Sequence, residues 1–131
     1  MSIKVEKYPE IHTVLITMVE PLTVPDDAVG ALAASAEFKK DQGCCICRIL
    51  DFSQVKLNFS DMMVGMAAEK GHEGGLYDAD VATVFIGSGE LVELGVEALK
   101  SQPHYKGANV AGLVRTREEA LEIAQKLAEE K

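Results

Sequence analysis

Four short apolar runs rich in β-branched residues, separated by longer stretches of helical periodicity, constrain this chain more than any other feature. HTVLITMV (12–19), CCICRILDF (44–52), VATVFIG (81–87) and NVAGLV (109–114) each have strand length. HTVLITMV reads as a central strand, the near-continuous apolar CCICRILDF as a strand covered on both faces, VATVFIG as the next buried strand and NVAGLV as a short strand. A shorter run around Ile3 to Glu6, joined to the first by a turn carrying Pro9, predicts an opening hairpin.

The intervening segments read as helices. Pro25 suits the first turn of one, with Asp26 and Asp27 against its positive dipole end, and Ala28, Val29, Leu32, Ala33 and Ala36 as its apolar stripe before Gly43 stops it. A second helix is predicted over 60–70, with Met63, Met66 and Ala67 on its apolar side, ended by a flexible GHEGG loop at 71–75. A third opens at Ser88 or Gly89 with Leu91, Val92, Gly95, Ala98 and Leu99 on one face, and Pro103 ends it. In the fourth, TREE at 116–119 is a capping box, with Thr116 as cap and Glu119 reaching back.

The order β-β-α-β-α-β-α-β-α predicts one α/β domain over residues 1–131. Right-handed crossovers give it a mixed, mostly parallel five-stranded sheet with about four helices and an antiparallel N-terminal edge strand. At 131 residues the chain can bury a sizeable core without disulfides or a metal.

Charge narrows the partners. With 21 acidic against 13 basic residues the formal net charge is −8, which repels phosphate backbones and anionic surfaces. The absence of Trp also argues against a stacking platform for single strands, so nucleic acid is not expected. MSIKVEKYPE lacks the apolar core of a secretory signal and no stretch has the length of a membrane span, so the expected location is cytoplasmic.

Chemistry-bearing residues are sparse. Cys44, Cys45 and Cys47 cannot converge on one ion if the strand alternates, and read as buried thiols. His12, His72 and His104 lack metal-ligand spacing; His72 beside Glu73 is the one pair to test. No G-x-S-x-G elbow occurs, and the GSG at 87–89 lacks the third small residue of a dinucleotide fingerprint, since Val92 stands there. Ser88 at that turn can still face a small anion. Asp51 closes a central strand, where open sheets place ligands. No catalytic residue, metal site or cofactor is expected, and an enzyme using Asp51, His72 or His104 ranks last.

Ser60 stands where the second helix opens. As N-cap it would place Asp61 at the first helical position and set Phe59 against Val64 as a hydrophobic staple, a cap of about 1 kcal/mol.

These residues and the element order resemble the STAS domain family, named for sulphate transporters and anti-sigma-factor antagonists. There a buried strand ends in a segment like L-D-L-S-x-V, matched here by ILDFSQV at 49–55, and a helix opens with an Asp-Ser-Ser-Gly-like motif. Counting on without a gap, Phe59 falls on the motif's Asp, Ser60 on its Ser, Asp61 on the following Ser or Thr, and Met62 on the Gly. In the antagonists that serine is phosphorylated by a partner kinase, so the resemblance makes Ser60 a regulatory phosphorylation candidate. A divergent branch of stand-alone bacterial domains, similar to the sporulation anti-sigma-factor antagonist and described as STAS/SEC14-like, ends like LVRTREEALEIAQKL at 113–127, with Glu119 and Ala120 matching its Glu-Ala.

The resemblance implies a non-enzymatic regulatory or protein-binding module with Asp51, Ser53, Asp61, Met62 and Ser88 on its interaction or ligand surface. Its alternative is a carrier of a small apolar ligand or lipid, with a pocket between helix 60–70 and the helix after Ser88. A regulatory protein or kinase and an apolar ligand are the partners to test, and a homo-oligomer is compatible with either.

Overall fold

The computed structural model describes residues 3–21, 23, 26–56, 58–101 and 108–130. Its elements are β1 (Ile3–Tyr8), a 3-10 turn (Pro9–Ile11), β2 (Thr13–Met18), α1 (Asp26–Gln42), β3 (Ile46–Asp51), α2 (Phe59–Ala68), β4 (Val81–Ile86), α3 (Glu90–Ser101), β5 (Val110–Val114) and α4 (Arg117–Glu129). The expected order and class hold. One five-stranded sheet runs β1-β2-β3-β4-β5, with β1 antiparallel to β2 and all other pairs parallel. His12 turns the hairpin with φ of 51°.

Every residue of β2 and β3 is buried, as expected of strands covered on both faces. On one face Val14, Ile16, Ile46, Leu50 and Phe85 meet Ala31 and Phe38 of α1, Met66 of α2, and Val96 and Leu99 of α3. On the other, Leu15, Cys47, Ile49, Val84 and Ile86 meet Ala120 and Ala124 of α4. Same-handed crossovers moving always toward the next strand put α1, α2 and α3 on one side; α4, which follows the last strand, is free to cover the other.

Local signals at the helix ends mostly act as read. Gly43 follows α1 with φ of +77°, donating its N–H to Lys39 O at 3.0 Å. Thr116 Oγ1 accepts from Glu119 N at 3.2 Å, so Thr116 is the cap as expected; Glu119 reaches back, but its Oε1 accepts from the Thr116 hydroxyl at 3.1 Å in place of the backbone N–H of a capping box. The Pro25 and Pro103 readings lie outside the described residues.

Three expectations are corrected. The buried stripe of α1 is Asp27, Ala31, Leu32, Ser35 and Phe38, while Val29 and Ala33 face solvent. Small and polar residues can serve as core here because Ser35 Oγ bonds back to Ala31 O at 2.9 Å and Asp27 Oδ2 accepts from Thr23 N at 2.8 Å. The third strand begins at Ile46 rather than Cys44, which leaves Cys44 exposed and Cys45 half-buried; only Cys47 is a buried thiol. Finally, the GHEGG loop is packed instead of loose. Gly74 and Gly75 are buried against α1, where a β-carbon at Gly74 would lie 2.7 Å from Ala36 N.

Asp78 organises that loop. Its Oδ2 accepts from Lys39 Nζ and from Gly74 N, each at 2.9 Å, and its Oδ1 from Asp80 N at 3.0 Å. Burial alone would raise this carboxyl, but the Gly74 N–H, the Lys39 ammonium and the Asp80 N–H outweigh it and hold it below the ordinary range. A carboxyl depressed in the folded state contributes stability that is complete above its unfolded value, about 4, and is lost as pH falls through the lower folded value. In urea melts, Asp78→Asn should therefore destabilise near neutral pH, with the gap to wild type closing as pH falls below about 4.

Candidate functional site

Two recesses sit on opposite faces of the sheet. The first is an apolar pocket of about 100 Å³ between the sheet and α1, α2 and α3. Met18, Leu50 and Phe85 form its floor, and Met62, Gly65 and Met66 of α2 form one wall. Gly95 and Val96 of α3 form another. Gly95 lets Met62 pack directly against α3: a β-carbon there would lie 2.5 Å from Met62 Sδ and push that flexible side chain aside. Asp27, Asp61 and Glu69 are the acidic groups on the lining.

A buried ion pair anchors the wall formed by α2. Arg48, fully buried on β3, meets Glu69, the C-cap of α2: Nη1 donates to Oε2 at 3.1 Å and Nη2 to Oε1 at 2.5 Å. Arg48 Nε and Nη2 also donate to Thr83 Oγ1 at 3.3 and 3.2 Å, and Glu69 Oε1 accepts from Leu76 N at 3.1 Å. Neither residue was read as important. The signal was present, since an arginine inside the apolar run CCICRILDF cannot be buried without an acidic partner.

The second recess is a polar cleft of about 300 Å³ at the carboxyl ends of the parallel strands, under the start of α4. Asp51, Ser53, Thr17 and Arg117 line it, with Lys4 and Glu6 from β1. Asp51 Oδ1 accepts from Ser53 N at 2.8 Å, which turns the chain out of β3, and Oδ2 lies 3.8 Å from Arg117 Nε. Arg117 Nη2 donates to Glu6 Oε1 at 2.6 Å and to Thr17 Oγ1 at 3.2 Å. Its hydrogen bond holds the Glu6 carboxyl below its usual range and raises the guanidinium. This contact spans almost the whole chain, and no spacing in the sequence announces it.

The expected ligand surface is thus divided. Asp51 and Ser53 belong to the polar cleft, Asp61 and Met62 to the apolar pocket, and Ser88 is exposed and lines neither. His72 is exposed on the 71–75 loop, His12 Nδ1 lies 2.6 Å from Gln42 Oε1, and His104 lies outside the described residues. Among the described residues no three His, Cys, Asp or Glu side chains are grouped to hold a metal ion. No helix among them is long and apolar enough to cross a membrane.

Ser60 is not the cap of α2. The helix starts at Phe59, and the cap is Asn58, whose Oδ1 accepts from Asp61 N at 2.7 Å. Asparagine caps as well as serine, and the extended backbone at Asn58 selects it. Ser60 is the second helical residue and exposed. The staple is absent too: Phe59 is 58% and Val64 41% exposed. Asn58→Ala should then cost about 1 kcal/mol in chemical denaturation. Ser60→Ala should stay within about 0.5 kcal/mol of wild type, the reverse of what a Ser60 cap requires.

Comparisons with family models, with curated proteins and with solved structures gave no match for this chain.

Proposed function

We propose that this chain is a non-enzymatic, STAS-like binding module whose α1–α3 face receives a small apolar molecule. The apolar pocket carries the proposal: its floor and two helical walls are almost wholly hydrocarbon and thioether, a surface that gains from burying an apolar guest. Its volume limits the guest. Apolar cavities of about 150 Å³ enclose benzene, and this recess, smaller but open at its mouth, suits a short alkyl segment or one edge of a ring whose remainder stays outside, not an entire lipid. Met62 and Met66 are suited to adjust around such a guest.

The test is a titration with toluene followed through the methionine methyl resonances. Those of Met18, Met62 and Met66 should move saturably while exposed Met63 stays fixed. Gly65 gives the matching variant, because a β-carbon there meets nothing within 4 Å. Gly65→Leu should fill the recess, weaken toluene binding at least about tenfold and leave the fold as stable or more so, since leucine is the better helix former. Equal uptake by wild type and variant would overturn the reading.

A second reading has its own observation. The outward side of α2 exposes Phe59, Met63 and Val64 around exposed Ser60, an apolar patch with a modifiable hydroxyl in its middle. A partner protein docked there would respond to charge at Ser60. Ser60→Glu and Ser60→Ala should alter its capture in opposite senses with unchanged circular dichroism; equal capture by both removes the switch.

A further inference from the structure

We propose that Cys44 and Cys45 form a two-electron redox site that closes to a vicinal disulfide by exchange with a low-molecular-weight disulfide. Their Sγ atoms lie 2.6 Å apart, inside van der Waals contact, in the turn that joins α1 to β3. The turn is fixed from both sides. Gly43, with φ of +77°, closes α1, and Ile46 N donates to Asp80 O at 2.9 Å as β3 begins. Cys45 Sγ faces Asp80 Oδ1 at 3.9 Å, whereas Cys44 is exposed. Cys47 is separate: it is buried on the α4 side of the sheet with Leu15 and Ile49. The two roles therefore divide by exposure, Cys44 as attacking thiol and Cys45 as resolving thiol.

The chemistry balances without a metal or a further protein group. The Cys44 thiolate attacks one sulfur of the small disulfide, forming a mixed disulfide and expelling a thiolate. Cys45, deprotonated in turn, attacks Cys44 Sγ and expels the second thiolate. Two electrons pass to the reagent, which leaves as two thiols carrying the two protons. Adjacent α-carbons are roughly 3.8 Å apart, closer than in ordinary disulfides, so the ring is readily reopened by dithiol reductants. The site is thus reversible, not a structural staple.

The experiment uses the full chain, reduced and then exposed to oxidised glutathione, followed by denaturing alkylation and peptide mass analysis. The expected peptide lacks two hydrogens, carries one alkyl group at Cys47 and regains all three thiols with dithiothreitol. Cys47→Ala should give the same loss with no alkylatable thiol left. In Cys45→Ser the reaction should stop at a persistent glutathione adduct on Cys44. A stable glutathione adduct on the wild-type pair, two alkylatable thiols at 44 and 45, or a ring that includes Cys47 would each overturn the proposal. The wild-type peptide decides the matter even if Cys47→Ala fails to fold.

Discussion

Glu69→Ala is expected to lower the unfolding free energy by about 3–5 kcal/mol, the largest effect of any single carboxylate here. The loss arises less from the attraction removed than from the charge left behind. Arg48 is fully buried, with two of its nitrogens on Glu69 and Thr83 as its other hydrogen-bond partner. Without the carboxylate, a guanidinium stands unpaired in the sheet's interior and Leu76 N loses its acceptor. Domains of this size have about 5–15 kcal/mol in all, so the variant should show a strongly lowered urea midpoint. Arg48→Met combined with Glu69→Leu should recover most of the loss, because a buried pair replaced by apolar groups of similar size is close to neutral. A double variant no better than the single one would show that the pair is worth more than its desolvation. The same pair ties the end of α2 to β3, so the single variant should also loosen the apolar pocket's wall.

Gly74→Ala should follow, at about 2–4 kcal/mol, from a left-handed backbone combined with overpacking. Gly74 has φ of +85°, and an added β-carbon would lie 2.7 Å from Ala36 N and 3.0 Å from Ala36 Cα, atoms of a helix backbone that cannot step aside. Gly71→Ala is the control. Its φ is +76° but nothing lies within 4 Å, so it should cost only the conformational part, about 1–2 kcal/mol. Equal midpoints for the two variants would mean that α1 yields at Ala36.

The fold was legible because its strands announce themselves. HTVLITMV and VATVFIG are β-branched and bounded by turn residues, and their burial in the sheet requires nothing beyond local pattern. Thr116 and Gly43 were legible for the same reason, each solving a backbone problem within four residues. Where two local solutions compete, the sequence does not arbitrate. Asn58 and Ser60 are both good caps, and the backbone conformation at Asn58 decided between them. On α1 the pattern held only in part: Leu32 is buried and Ala28 and Ala36 are half-buried as expected, but Val29 and Ala33 face solvent while Asp27 and Ser35 face inward. Their inward position depends on hydrogen bonds to Thr23 N and Ala31 O, which hydropathy does not record.

The site was half legible. Asp51 was expected from its place at the end of a strand, and Ser53 and Met62 from the resemblance, yet they line different recesses. A sequence resemblance groups residues by chain position, whereas the sheet separates them by face. Residue 51 points to the α4 side and Met62 to the other. Arg117 could not be found at all, because its partners Glu6 and Thr17 come from the opposite end of the chain.

Strand order and chain order coincide from β1 to β5. No strand is inserted between two already paired, so the sheet can grow by accretion from the β1–β2 hairpin, each βα unit docking on the edge left by the one before. Each parallel step still closes a loop that holds a whole helix, from Met18 to Ile46, Asp51 to Val81 and Ile86 to Val110, so these closures set the pace of assembly even though no strand must be threaded between two others. Only α4, lying back across β3, β4 and β5, waits for the finished sheet. The polar cleft under its first turn, where Glu6 meets Arg117, should therefore be the last part of the molecule to form and the first to come apart.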